Sequence, residues 1–517
     1  MVVLSTSCFV LSFFINSEVF QIDYHQITCL SIFTGPKATG SRANEVLTVN
    51  YLLERANRIK AEHENVSDIS IDLQIVSGVH FVSAYYENIQ NIVVKLHGKS
   101  DKSLMINCHF DSEYGSYGAG DDGINCCIML EILRVLAKSD KQEYSIIFLF
   151  NGSEEGNLEG IQASHGFITQ QKWAKDVKAF INLEAQGVGG RELLFRSGPK
   201  HSWLIKKYRE SVKNPFGQVF AEEMFETNVL NSGTDFESFR DAGEVPGLDL
   251  SFCNKGWIYH TKFDHIRYIT NDSIQNTGNN VLELTKKLAN SKELENPPEG
   301  TAAVYFDMWG LFFVSYPAAV GTVINIVVSV LAVVLPFIIH TKFEVENVGK
   351  VARETLLSFA TMVVSSILSL ASCYAMGLII NAVDNSMFWF NATLLSLGVY
   401  SSLAVFVQIF VHHVLYSVVD NYTQKTFKSD KYEQRRKLHM RLNGVNLFWA
   451  IITVIFSCFG YRFVYVTMMM LLISLVTNLV MFFLHKVLPK TREFQQITIR
   501  VHYQKIIFRL AELDSCS

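Results

Sequence analysis

A chain of 517 residues is long enough for more than one domain and for a large buried core. Hydrophobic residues make up 49% and charged residues 18%, with a formal net charge of -4, so the broad basic surface that nucleic-acid binding requires is excluded. The nine Cys form no CxxC pair, which argues against a structural zinc finger.

The chain opens on an apolar segment, residues 1–30, whose first part is MVVLSTSCFVLSFFI. It is short and lacks a basic leader, and it reads as a signal or the remnant of a membrane helix. From Gly40 to Lys60 apolar positions recur at helical spacing. β-Branched and apolar runs then predict strands at Ile69–Val76, Ile92–Leu96, Leu104–Cys108, Tyr144–Phe150, Val177–Leu183 and Leu248–Phe252. Helical patterns such as Cys126–Ala137 separate several of them. This alternation predicts an α/β domain over residues 31–300, with a mixed, largely parallel sheet flanked by helices. The breaker cluster Asn296-Pro297-Pro298-Glu299-Gly300 ends it, and 301–317 reads as a linker.

Residues 318–485 read as an all-α, multi-span membrane domain, because a bilayer takes about 20 apolar residues to cross. Five spans are expected: Ala318–Ile339, two within 355–417 divided at Asp384, Val445–Gly460 and Phe463–Leu484. Basic residues gather in 341–354 (Lys342, Lys350, Arg353), in 418–444 (among them Arg435, Arg436 and Lys437) and in the tail 486–517 (Lys486, Lys490, Arg492). With five spans these segments share one side, and the basic side is cytoplasmic as a rule. The α/β domain then faces the lumen or the exterior. Asn65-Val66-Ser67 and Asn271-Asp272-Ser273 are sequons on that face, which makes Asn65 and Asn271 glycosylation candidates.

Several predicted strands end in potential metal ligands. Leu104–Cys108 runs into His109-Phe110-Asp111, Tyr144–Phe150 leads to Glu154-Glu155, Val177–Leu183 delivers Glu184, and Leu248–Phe252 is followed by His260. Sites in open α/β sheets form outside the carboxyl ends of strands. Gly118-Ala119-Gly120-Asp121-Asp122-Gly123 adds a glycine-rich turn with two carboxylates. Taken singly, a Glu-Glu pair is ordinarily a solvated turn, and Asp-Asp among glycines is ordinary turn chemistry. Their recurrence at strand ends of one domain points instead to a metal site. Two His and several carboxylates are N/O ligands that suit zinc. A hydrolytic two-metal site also needs a carboxylate free to take a proton from water, and Glu154 and Glu155 could divide the roles of base and ligand.

Together NCHFDS (107–112), GAGDDG (118–123), NGSEEGNLEGIQAS (151–164), INLEAQGVGG (181–190) and IYHTKFD (258–264) resemble the zinc metallopeptidases of family M28. The resemblance implies two zinc ions per chain, with His109 and Glu184 on one, Glu155 and His260 on the other, and Asp121 bridging. It implies Glu154 as general base, Asp111 as the residue that orients His109, and Asp122 as support for the Asp121 turn. It further implies an exopeptidase acting on peptides or protein ends, and an endoplasmic reticulum membrane location with the peptidase domain lumenal. Together with an oxidising compartment it favours a Cys108–Cys126 disulfide.

Three rival readings stand beside this one. A catalytically inactive membrane scaffold on the same fold would be favoured by missing ligands, and none is missing. A single-zinc acyl-transfer enzyme resembling glutaminyl cyclases would differ in metal stoichiometry. A transporter is disfavoured by the near absence of ionisable residues within the spans.

Overall fold

The computed structural model describes residues 35–487, apart from 81–83, 157–159, 199–200, 231, 299, 309, 345, 385–387, 389–392 and 425–430. The apolar segment expected at 1–30 and nearly all of the tail expected at 486–517 lie outside the described residues. The chain divides into two compact units. One takes the residues up to Gly321 with Ala371–Val405 and Gly460–Phe463; the other takes Thr322–Leu370, Phe406–Phe459 and the residues from Val464.

The first unit is built on a seven-stranded sheet in the order β1-β2-β4-β3-β5-β7-β6. Its strands are β1 (Ile69–His80), β2 (Ala84–Leu96), β3 (Ser100–His109), β4 (Tyr144–Asn151), β5 (Val177–Ala185), β6 (Leu193–Ser197) and β7 (Gly247–Phe252). The four central strands β4, β3, β5 and β7 are parallel, and β1, β2 and β6 join antiparallel at the margins. This is the mixed, largely parallel sheet that the sequence predicts. All eight residues of β4 are buried, as a strand covered on both faces requires. Met105, Ile147, Leu149 and Phe180 form a core on one face with Phe167, Phe236 and Phe239. The alternate residues Leu104, Ile106, Ile146 and Phe148 are buried on the other face. The covering helices are α1 (Val49–Glu62), α2 (Ile124–Ala137), α3 (Gln162–Gln170), α4 (Ser202–Ser211), α5 (Val219–Glu226) and α6 (Asn271–Ala289).

Residues 301–317, expected as a linker, instead carry the antiparallel hairpin β8 (Ala303–Met308) and β9 (Phe312–Pro317). The hairpin is held through Asp307: its N–H donates to Gly217 O at 3.0 Å, and its side-chain Oδ1 accepts from Gln218 Nε2 at 3.1 Å. The short segment Gly460–Phe463 also belongs to this unit. Its Arg462 donates to Glu222 and Glu226 of α5 at 2.6 Å each, and its backbone N–H donates to Glu223 at 2.6 Å.

Among the described residues, five helices are long and apolar enough to cross a membrane: α7 (Ala318–Phe343), α8 (Val348–Ala382), α9 (Leu394–Asn421), α10 (Arg436–Cys458) and α11 (Tyr465–Phe483). The fourth, read from its apolar run as starting at Val445, begins earlier, in a charged stretch. Within the second unit, polar side chains settle what the apolar runs leave open. Pro336 lies inside α7 and has no N–H to give the carbonyl four residues back, Ala332 O. Asn446 of α10 donates to that carbonyl at 3.2 Å, and its own Oδ1 accepts from Ser474 of α11 at 2.9 Å. Nearer the helix ends, Arg441 joins Glu354 at 2.9 Å and Asp420 at 2.7 Å.

Candidate metal centre

The central parallel strands deliver their carboxyl ends to one edge of the sheet. His109 is the last residue of β3, and its register partner Asn151 is the last of β4, so Glu154 and Glu155 follow at the same level. Glu184 lies near the end of β5, opposite Ser251 of β7. His260 follows β7 on a short loop and sits in the left-handed region at φ 56°. Asp121 comes from the turn between β3 and α2. In that turn Gly118 takes φ 59°, and a Cβ on Gly120 would stand 2.2 Å from Val188 Cγ1 and 2.8 Å from Asp264 Oδ1. The glycines therefore let the backbone pass where side chains have no room.

The expected ligands converge. His109 Nε2 lies 3.2 Å from Asp121 Oδ1 and 3.7 Å from Glu184 Oε2. His260 Nε2 lies 3.2 Å from Asp121 Oδ2 and 2.7 Å from Glu155 Oε1. Asp121 thus turns one oxygen to each imidazole. Zinc–ligand bonds of about 2.1 Å at tetrahedral angles put neighbouring ligand atoms roughly 3.4 Å apart, which these separations bracket. His109 Nε2 is buried without a hydrogen-bond partner, and among the described residues no Lys or Arg pairs with Asp121, Glu155 or Glu184. Burial lowers the affinity of His109 for a proton, but the facing carboxylates of Asp111, Asp121 and Glu184 outweigh it and raise its pKa well above the ordinary value. His260 likewise loses to burial and gains more from Asp121 and Glu155, reaching about 10. A space that draws protons onto two imidazoles is a space for cations. The donor set, borderline nitrogen with hard oxygen, fits zinc.

Supporting groups position most of the candidate ligands. Asp111 accepts the backbone N–H of Glu154 on Oδ1 and that of Glu155 on Oδ2, both at 3.0 Å, while His109 Nδ1 lies 3.4 Å from its Oδ1. Asp122 Oδ1 accepts from Asn125 at 2.5 Å. Asn182 Nδ2 donates to Glu184 Oε1 at 3.2 Å and to Asp249 Oδ1 at 3.0 Å, and Arg196 neutralises Asp249 at 2.7 Å. Burial, then Glu184 and Glu155, push the Glu154 carboxyl well above its ordinary range.

Two further contributors, Asp264 and Tyr259, lie beside His260 in the segment 258–264. Asp264 accepts the N–H of Gly120 at 2.7 Å and of Asp121 at 3.0 Å, clamping the turn that aims Asp121; burial lifts its pKa to about 6. Tyr259 stacks on the His260 ring with centroids 3.7 Å apart. The Cys108 and Cys126 sulfurs lie 2.7 Å apart. Asn65 and Asn271 are exposed and lie outside this centre.

Residues 91–285 match the model of peptidase family M28. Endoplasmic reticulum metallopeptidase 1 of Mus musculus is 41% identical over 392 residues, covering 73% of this chain and 43% of that protein. The chain thus spans less than half the length of that relative. Among solved structures, the glutaminyl cyclase of Porphyromonas gingivalis is 15% identical with a TM-score of 0.41, covering 52% of this chain and 99% of that one. The LapA aminopeptidase of Legionella pneumophila is 17% identical with a TM-score of 0.41, covering 54% and 78%. Through residues 91–285, the chain carries a domain of peptidase family M28.

Proposed function

We propose that this chain is a membrane-anchored, zinc-dependent exopeptidase that hydrolyses peptide bonds on the lumenal side of the endoplasmic reticulum membrane. The observation that carries the reading is Asp121, whose two oxygens each face a different imidazole at 3.2 Å. That arrangement suits a carboxylate shared by two ions, with His109 and Glu184 holding one and Glu155 and His260 the other. When bound, zinc supplies Lewis acidity that activates water at neutral pH and polarises a carbonyl. Glu154 accepts the proton of the attacking water and returns it to the leaving amine. Asp111 fixes the position of Glu154 through its backbone N–H. Among the rival readings, a single-zinc acyl transferase has no use for a second imidazole–carboxylate pair.

The lumenal placement is supported by the positive segments at 341–354 and 418–444, and by the grouping of Gly460–Phe463 with the peptidase unit. On that face Cys108 and Cys126, already in contact, form a disulfide, and the exposed Asn65 and Asn271 accept glycans.

The test is a peptide-library digest with the purified, zinc-loaded chain and its Glu154→Gln variant. The wild type should trim peptides from one end. The variant should keep its zinc and lose turnover by roughly 10²–10⁴-fold. Comparable hydrolysis by the variant would remove Glu154 from the role of base.

A further inference from the structure

The residues from Gly35 to Asn44 precede the sheet and lie outside the segment 91–285 that matches family M28. They are nevertheless bonded to the loops that carry the candidate ligands. Lys37 N–H donates to Ser112 Oγ at 2.9 Å, and Ser112 N–H donates back to Lys37 O at 3.2 Å. Asn44 Nδ2 donates at 2.8 Å to the carbonyl of Gly152, just ahead of Glu154. This strap therefore joins the end of β3, with Asp111, to the end of β4, with Glu154 and Glu155.

Two of its side chains reach the groups that aim the ligands. Thr39 Oγ1 donates to Asp111 Oδ2 at 3.0 Å and lies 3.2 Å from Ser153 Oγ. The same Asp111 Oδ2 accepts the Glu155 N–H. A carboxylate oxygen has two lone pairs, so the hydroxyl and the amide together fix the plane of the Asp111 carboxylate. Lys37 is only 1% exposed, and its Nζ donates to Gly35 O at 2.9 Å and to Tyr117 O, the carbonyl that leads into the Asp121 turn. A lysine is almost never so buried without compensation. Burial draws its pKa down to about 8, while the carboxylates of Asp264 and Asp111 act to hold it up. The effect is mutual, because Lys37 favours the charged form of Asp264.

We propose that Lys37 and Thr39 are positioning residues of the metal centre, through which the strap steadies the two carboxylates, Asp111 and Asp264, that aim Glu154, Glu155 and Asp121. The assignment rests on the zinc reading of that centre. Both residues act through a carboxylate whose oxygens hold backbone N–H groups, and neither is assigned to the metal or to the substrate.

The experiment uses the full chain in detergent and its Thr39→Val, Thr39→Ser and Lys37→Met variants. Titration against a competing chelator reads zinc affinity, and visible absorption of the cobalt(II)-loaded chain reads ligand geometry. Thermal unfolding of the metal-free chain reads folding. Thr39→Val and Lys37→Met should each lower zinc affinity about tenfold and shift the cobalt spectrum. Thr39→Ser, which keeps the hydroxyl, should match the wild type in both. In peptide hydrolysis the loss should fall on kcat, with KM little changed. Thr39 is half-buried and valine has a similar shape, so that pair decides the matter even where Lys37→Met does not fold. A lower melting temperature with unchanged zinc affinity and an unchanged spectrum would make the strap a packing element and overturn the proposal. An equal loss in Thr39→Ser would overturn it too. Zinc binding without hydrolysis in the wild type, with affinity still lost in Thr39→Val, would sink the peptidase reading and uphold the strap. A wild type that binds no zinc would overturn both.

Discussion

Asp111 holds Glu155 by its backbone, its Oδ2 accepting the Glu155 N–H at 3.0 Å, and its other oxygen does the same for Glu154. Thr39 donates to the same carboxylate at 3.0 Å. One side chain at the end of β3 therefore sets the position of two glutamates at the end of β4. Asp111→Asn turns an NH₂ towards an N–H and breaks one arm of this fork. Zinc affinity should fall about 10–100-fold, with turnover falling alongside. Zinc titration against a competing chelator measures this, and unchanged affinity would contradict it.

Asp264 repeats the device from the other side, with one oxygen on Gly120 N–H and one on Asp121 N–H. It touches no ligand side chain, yet Asp264→Ala frees the turn that aims Asp121. Purified Asp264→Ala should retain less zinc after dialysis than the wild type while remaining folded by circular dichroism. Full retention would show that the Asp121 turn holds its shape unaided.

Arg462 is a buried guanidinium met by Glu222 and Glu226, with Glu223 on its backbone N–H. Arg462→Met leaves Glu222, only 4% exposed, without its cation. Breaking such a buried pair costs about 3–5 kcal/mol. Thermal unfolding in detergent should show a large loss of stability. A melting temperature equal to the wild type would mean that Tyr305, which donates to Glu222 at 2.7 Å, is partner enough.

Asn446 replaces the donor that Pro336 cannot supply. Asn446→Leu keeps the branched shape but orphans Ala332 O and removes the acceptor for Ser474, and the loss of the Ala332 bond costs about 1–2 kcal/mol. Pro336→Ala restores the helical donor, so the double variant should recover most of the loss. Additive destabilisation in that cycle would break the link.

The sequence was most legible where burial is most complete. The runs at 104–108, 144–150, 177–183 and 248–252 stand out because a central parallel strand is apolar on both faces, and all four form. β6 carries a weak signal because it is an edge strand of five residues with Arg196 in it, and that arginine is met by Thr234, Glu237 and Asp249 from elsewhere in the chain. The hairpin β8–β9 was hidden between a Pro-Gly cluster and an apolar run, although Gly310 at φ 72° marks its turn. The candidate ligands stand out in the sequence by their places at strand ends. Asp264 does not, because it acts on backbone N–H groups 143 and 144 residues away, which leaves no local pattern.

The shared centre is tested most directly by counting zinc in the purified chain by elemental mass spectrometry, beside His260→Ala and Asp121→Asn. Two zinc ions per wild-type chain, about one in His260→Ala and a loss of both in Asp121→Asn would match a carboxylate that serves two ions. A single zinc in the wild type, unaffected by His260→Ala, would contradict it.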